Sequence, residues 1–127
     1  MKSNGRLRMN NQLLGKKGEN FAADYLKRHG FRIIDRNFKG RYGELDIIAL
    51  DGKILVFIEV KTRIGRTFGM PEEAVTPRKL REVIQTAQYY KLLHPELSDS
   101  LRIDVIGIEL NVDETIKYFH HIRNVTQ

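Results

Sequence analysis

The chain has 127 residues, 41% of them hydrophobic, with a formal net charge of +6 and no cysteine. That length and apolar content suit one domain with one core, and the missing thiols exclude disulfides, thiolate metal sites and cysteine nucleophiles. The positive charge favours a polyanionic partner such as nucleic acid; the absence of cysteine fits a reducing compartment, and the basic N-terminus lacks an apolar signal core, so no export from the cytoplasm is expected.

Residues 1–11 read as a flexible basic tail carrying Lys2, Arg6 and Arg8, and 12–127 as a single domain. A first helix is expected from Gln12 to His29, with Leu14, Gly18, Phe21, Ala22, Tyr25 and Leu26 as its apolar stripe and Gly30 as its stop. Phe31 to Phe38 reads as a strand, followed by a basic glycine-containing turn from Lys39 to Gly43. Two further strands, Glu44–Leu50 and Lys53–Thr62, form a hairpin around Asp51-Gly52. Ile64 to Val75 reads as a loop. Thr76-Pro77 then starts a second helix reaching Leu93, with Leu80, Val83, Ile84 and Ala87 inward. Leu101–Leu110 and Thr115–Ile122 read as closing strands, and Val125–Gln127 as a fraying end. The longest apolar run, Ile54 to Ile58, is far too short to cross a bilayer, so no membrane partner is expected. The order α-β-β-β-α-β with one more strand fits a mixed central sheet flanked by helices.

The hairpin carries the chemistry. With Asp51-Gly52 as its loop, Leu50 pairs with Lys53 and Asp46 with Phe57, which puts Glu59 diagonally across from Asp46 on one face. Diagonal neighbours lie about 7 Å apart, close enough for two carboxylates to share a cation. Lys61, two residues beyond Glu59, points the same way. Two acids and an ammonium at one point suit a divalent metal and a phosphate: a phosphodiester-cleaving site. A hard cation, Mg2+ or Mn2+, needs one or two carboxylates, here Asp46 and Glu59, and the Val60 carbonyl is a candidate third ligand. Lys61, flanked by acids, keeps its proton and helps electrostatically. Lys39, Arg41, Arg63 and Arg66 surround the acids and can hold flanking phosphates. The bland alternative is a surface hairpin with cross-strand Glu–Lys pairs.

Other residues carry weaker signals. Glu44 falls opposite Glu59 in that register, as an auxiliary acid or a solvated strand end. Glu19 can sit at the edge of the first helix's buried face and point at the sheet, or be an ordinary solvated glutamate. Gln85 and Tyr89 share a face of the second helix, next to Arg78 and Arg81, and Gln85 can bind a phosphate or hold Lys61. Asp104 reads as a core-edge acid paired with a base. His120 and His121 face opposite sides of a strand, which argues against a shared zinc.

Asp46 followed by Glu59-Val60-Lys61 resembles the PD-(D/E)xK nuclease signature, and the α-β-β-β-α-β order resembles that superfamily's restriction-endonuclease-like core. More closely, GKKGENFAADYLKRHGF (Gly15 to Phe31), GELDIIA (Gly43 to Ala49) and VFIEVKTR (Val56 to Arg63) resemble the bacterial YraN family, classed as predicted endonucleases. The similarity runs from about Leu14 to Leu110. It implies that Asp46 and Glu59 bind metal, that Lys61 is catalytic and that Glu19 lies near the metal. Gln85 and Tyr89 resemble the Q-x3-Y helix motif of some relatives. Leu45 stands where the signature has proline. A similar arrangement in archaeal Holliday-junction resolvases implies a homodimer.

The first expectation is thus a Mg2+- or Mn2+-dependent endonuclease acting on branched, nicked or repair-related DNA. The alternative is a non-catalytic nucleic-acid-binding module on the same fold. A basic protein-interaction domain is the third reading. Calorimetry separates the first two, since a pure binder has no metal site at Asp46 and Glu59.

Overall fold

The computed structural model describes residues 10–65 and 69–126. Lys2, Arg6, Arg8 and Arg66 therefore lie outside the described residues.

Helix α1 spans Asn11–Arg28. It begins one residue ahead of the expected start because Asn10 is its cap: its side chain accepts from the Leu13 N–H at 2.8 Å. Lys27 and Arg28 in the last turn complement the helix dipole, and Gly30 at φ +88° lets the chain turn back. Strands β1 (Arg32–Gly40), β2 (Gly43–Asp51) and β3 (Ile54–Ile64) follow. The expected 64–75 loop contains a short 3-10 helix, Pro71–Ala74. Helix α2 spans Pro77–Leu93, with Thr76 accepting from the Lys79 N–H and Pro77 at the first position, as its sequence dictates. Strands β4 (Leu101–Leu110) and β5 (Ile116–Ile122) complete the order.

The five strands form one mixed sheet in the order β1-β2-β3-β4-β5, parallel only between β3 and β4. The αβββαβ core expected from the sequence is present. Helix α1 packs Ala22, Ala23 and Leu26 onto Ile47, Ala49, Val56, Ile58, Val60, Ile106 and Ile108. Helix α2 packs Val83, Ala87 and Tyr90 onto Leu45, Ile48, Leu55, Phe57 and Ile103 on the other face. Burying a leucine or isoleucine side chain contributes about 1.5–3 kcal/mol, so these two layers dominate the stability.

The hairpin register differs from expectation by two residues. Asp51 pairs with Ile54 and Leu50 with Leu55, so the loop is Gly52-Lys53 and not Asp51-Gly52. Gly52 has φ +60° at the first loop position, the requirement of a type II′ turn, whereas Asp-Gly in a type I′ turn was the local signal followed in the sequence. A shift of two keeps the side chains along the paired stretch, Ile47–Asp51 with Ile54–Ile58, on their predicted faces. Glu44 is not opposite Glu59; it pairs with Lys39 on β1 and is exposed.

Two other expectations fail for tertiary reasons. β1 runs on to Gly40, which shortens the basic turn to Arg41-Tyr42. Val125 does not fray: its N–H donates to the Ile103 carbonyl at 2.8 Å and its side chain joins the α2 core. Asp104 is structural as expected. It is fully buried and accepts from Arg102 Nε at 2.9 Å, Arg102 Nη2 at 3.1 Å and the Asn124 N–H at 3.0 Å, with His121 Nε2 at 2.8 Å. His120 lies instead beside Glu72, on the other side of β5.

Candidate active site

The site forms where β2 and β3 part. Their ladder runs from Asp51↔Ile54 to Ile47↔Ile58 and stops. The next residues on the two strands are Asp46 and Glu59. A residue's N–H and C=O point to the same neighbouring strand, so Val60 aims both toward β2, where its strand partner has gone. Asp46 takes over that role: its Oδ2 accepts from the Val60 N–H at 2.8 Å.

The splaying has a local cause. On β2, Ile47 belongs to the α1 layer and Leu45 to the α2 layer, although they are two residues apart. On β1, Arg36 reaches Asn20 of α1 at 2.8 Å, while Phe38 stacks edge-on against Tyr90 of α2 at 4.9 Å. Strict alternation would keep each pair on one face. Between them stand Asn37, at φ +54°, and Asp46. The two strands rotate there together, and the rotation turns Asp46 out of the ladder toward β3.

Asp46 and Glu59 sit near enough to share a proton. Glu59 is 6% exposed. Burial, then the Glu59 charge, pushes the Asp46 carboxyl up to about 8, against the lowering effect of the Val60 N–H. Burial likewise raises Glu59, while the Lys79 and Lys61 ammoniums pull it back. Two carboxyls held above their ordinary range in one place form a pair whose combined charge calls for a cation.

Lys61 follows Glu59 by two on β3 and acts on its charge, as the spacing predicts. Lys79, in the first turn of α2, was missed: its Nζ is 3.7 Å from Glu59 Oε2. The signal was present, because Lys79, Val83, Thr86 and Tyr90 lie at i, i+4, i+7 and i+11, one stripe of α2 facing the sheet. Glu19 stands on α1 with its Oε1 accepting from Asn37 Nδ2 at 2.7 Å and 3.9 Å from Arg36 Nη2, and its charge reaches Asp46. Asn37 and Arg36 were also missed, since their relevance depends on the strand rotation.

Among the described residues, no three His, Cys, Asp or Glu side chains are placed to hold a metal unaided. A cation here would draw on Asp46, Glu59, the Val60 carbonyl on the same strand edge, and water. That donor set is all oxygen, with few protein ligands, and fits magnesium or manganese.

The other expected residues spread outward. Lys39 and Arg41 are exposed at the β1–β2 turn. Arg63 is half-buried two residues beyond Lys61, and its Nε has no partner among the described residues. Gln85 is exposed on α2, and Tyr89 packs between Phe38 and Gly40, 6.3 Å from the Phe38 ring. Tyr89 thus borders the β1–β2 turn, with Gln85 one helical turn before it on α2.

The fold and the site define a class: an αβββαβ domain with two acids and two lysines at the fork between its second and third strands. The family profile of "Uncharacterised protein family UPF0102" matches residues 18–108, and the chain belongs to that family, the YraN family. It is 49% identical over 100 residues to a UPF0102 protein of Geobacter sulfurreducens, covering 79% of this chain and 78% of that one. A UPF0102 protein of Desulforamulus reducens is 43% identical over 113 residues, 87% of this chain and 93% of the relative. One of Clostridium botulinum is 42% identical over 120 residues, 92% and 96% of the two chains. Among the described residues, no helix is long and apolar enough to cross a membrane.

Proposed function

We propose that this protein is a magnesium- or manganese-dependent endonuclease that hydrolyses DNA phosphodiesters, on branched, nicked or repair-related structures. The observation that carries this reading is the pairing of half-buried Asp46 with buried Glu59, both carboxyls raised, faced by Lys61 and Lys79. Such a pair weakens a bare protein and becomes useful once it holds a cation.

Asp46 and Glu59, with the Val60 carbonyl, would hold the metal, which when bound supplies Lewis-acid polarisation of the phosphate and activation of the attacking water. Asp46 is fixed for this by its bond to the Val60 N–H. Lys61 neutralises charge at phosphorus and orients the nucleophile. Glu19, held by Asn37, adds a nearby negative charge that favours cation entry. Lys39, Arg41, Arg63 and Arg66 hold flanking phosphates, with Gln85 and Tyr89 as further contacts beside the turn. In-line attack by water leaves 5′-phosphate and 3′-hydroxyl ends, as the superfamily resemblance implies. A homodimer would add reach along branched DNA.

The test is cleavage of linear, flapped and four-way-junction DNA with manganese or with chelator. Metal-dependent cutting is expected, abolished by Lys61→Ala and Glu59→Gln in variants whose circular dichroism matches the parent. Binding without any cutting would favour the non-catalytic module instead. Lys79 offers a finer check. In the metal-free protein it is the cation already facing Glu59, so Lys79→Met should tighten manganese binding about two- to fivefold by calorimetry. Weaker binding would show that Lys79 does not compete with the metal.

A further inference from the structure

The β1–β2 turn is built unlike an ordinary hairpin tip. Gly40 pairs with Gly43, and the two residues between them are Arg41 and Tyr42. Tight turns usually place Gly, Asn, Asp, Pro or Ser at those positions. Here the conformational freedom sits in the flanks: Gly43 has φ +146°, and neither Arg41 nor Tyr42 has a positive φ. Both tip positions are thereby left to large side chains.

The base of the turn is held firmly. A methyl group added at Gly40 would meet Phe38 at 3.2 Å and Thr86 and Tyr89 at 3.4 Å, so the backbone lies directly against α2. The tip is open. Tyr42 is 47% exposed, its ring has the Arg41 guanidinium 5.9 Å from its centroid, and Lys39 beside it is exposed. Tyr42 precedes Asp46 by four strand residues, or about 13 Å along β2 at the usual rise.

An exposed phenol with a guanidinium on its face, at the open tip of a turn whose base is held against α2 and which also carries Lys39, suits one ligand chemistry well. An unpaired nucleobase stacks on the ring while lysine and arginine hold the adjoining phosphates. A base inside an intact duplex offers no free face. We propose that Tyr42, with Arg41, is a stacking platform for an unpaired nucleotide, and that the protein engages nucleic acid next to a single-stranded segment. This rests on the nucleic-acid reading above and adds which structure is preferred: one with unpaired bases within a few nucleotides of the cut.

The probes are a single-stranded oligonucleotide carrying 2-aminopurine and a blunt duplex of the same sequence, both with calcium in place of magnesium. On the parent protein, 2-aminopurine emission should be quenched on binding. Tyr42→Ala should bind the single strand about 5- to 100-fold more weakly. Its affinity for the duplex should change less than twofold, and Tyr42→Phe should behave as the parent. Because Tyr42 is exposed, matching melting curves will confirm that the variants fold. Equal single-strand binding by Tyr42→Ala and the parent, or an equal loss on single strand and duplex, overturns the platform. Neither measurement needs cutting. A Tyr42-dependent quench in a protein that never cleaves keeps the platform and removes the nuclease reading. Metal-dependent cleavage with no Tyr42 effect does the reverse.

Discussion

Asp46→Asn, without divalent ions at pH 8, is expected to melt about 6–10 °C above the parent while cutting DNA at least about 1,000-fold more slowly. The stability gain follows from the direction of the carboxyl shift. Burial and Glu59 raise Asp46 from the ordinary 3.8 to about 8, so the folded chain binds that proton more tightly than the unfolded chain does. The associated stability is present in full below about pH 4 and is lost as the pH climbs to about 8. At pH 8 the parent carries this cost, and asparagine does not. Asparagine can still accept from the Val60 N–H, so the bond that fixes position 46 survives. A shift of this size would approach 6 kcal/mol if wholly expressed, and water at this half-buried group reduces it to about 2 kcal/mol.

Two controls separate this cause from others. A plot of stability against pH should slope downward from about pH 4 to 8 in the parent and less steeply in Asp46→Asn, where the burial of Glu59 still contributes. Asp104, lowered by His121 and Arg102, works in the opposite sense. Its contribution is present above the ordinary carboxylate range and fades only as the pH falls below it, so the two windows do not overlap. Manganese should then raise the parent's melting temperature by mass action and leave Asp46→Asn unmoved. If the variant melts below the parent at pH 8, the acid pair is not the source of strain assigned to it.

Much of this site was legible because it depends on periodicity and order. Glu59 and Lys61 share a face by strand alternation alone. Asp46 meets Glu59 despite a register displaced by two, because the new register sets the two at the same level and the strand rotation turns Asp46 toward β3. Thr76-Pro77 fixed the start of α2 by its own cap chemistry. What stayed hidden depends on contacts between distant segments. The loop fell on Gly52-Lys53 because the whole ladder, and not the local Asp-Gly signal, sets hairpin pairing. The rotation at Asn37 and Asp46 has no sequence period, so Asn37's grip on Glu19 could not be foreseen. Lys79 was passed over, although its spacing from Val83, Thr86 and Tyr90 puts it on the inner stripe of α2. Val125 looked like a loose end until the Ile103 carbonyl claimed its N–H.

Gly18 is the position at which a single methyl group should do most harm. A Cβ built there overlaps Thr62 Oγ1 and lies 2.8 Å from its Cβ and 2.9 Å from its Cγ2. Thr62 is β-branched and held in β3, so it cannot swing clear, and its Cβ is tied to the strand backbone. Helix α1 must therefore lift from the sheet at the turn that carries Glu19. Gly18→Ala is expected to lose about 2–3 kcal/mol, although alanine is the better helix former by about 1 kcal/mol in isolation. Urea unfolding measures this directly. Adding Thr62→Gly, which removes every atom in the clash except the backbone, should recover most of the packing loss. Cleavage supplies the second readout. If the close approach at Gly18 is what brings Glu19 to Asp46, Gly18→Ala will cut more slowly even at low temperature, where it is fully folded, and the double variant will regain rate as it regains stability. A Gly18→Ala protein as stable as the parent would mean that α1 and β3 are not in this close contact, and the placement of Glu19 beside the acid pair would fall with it.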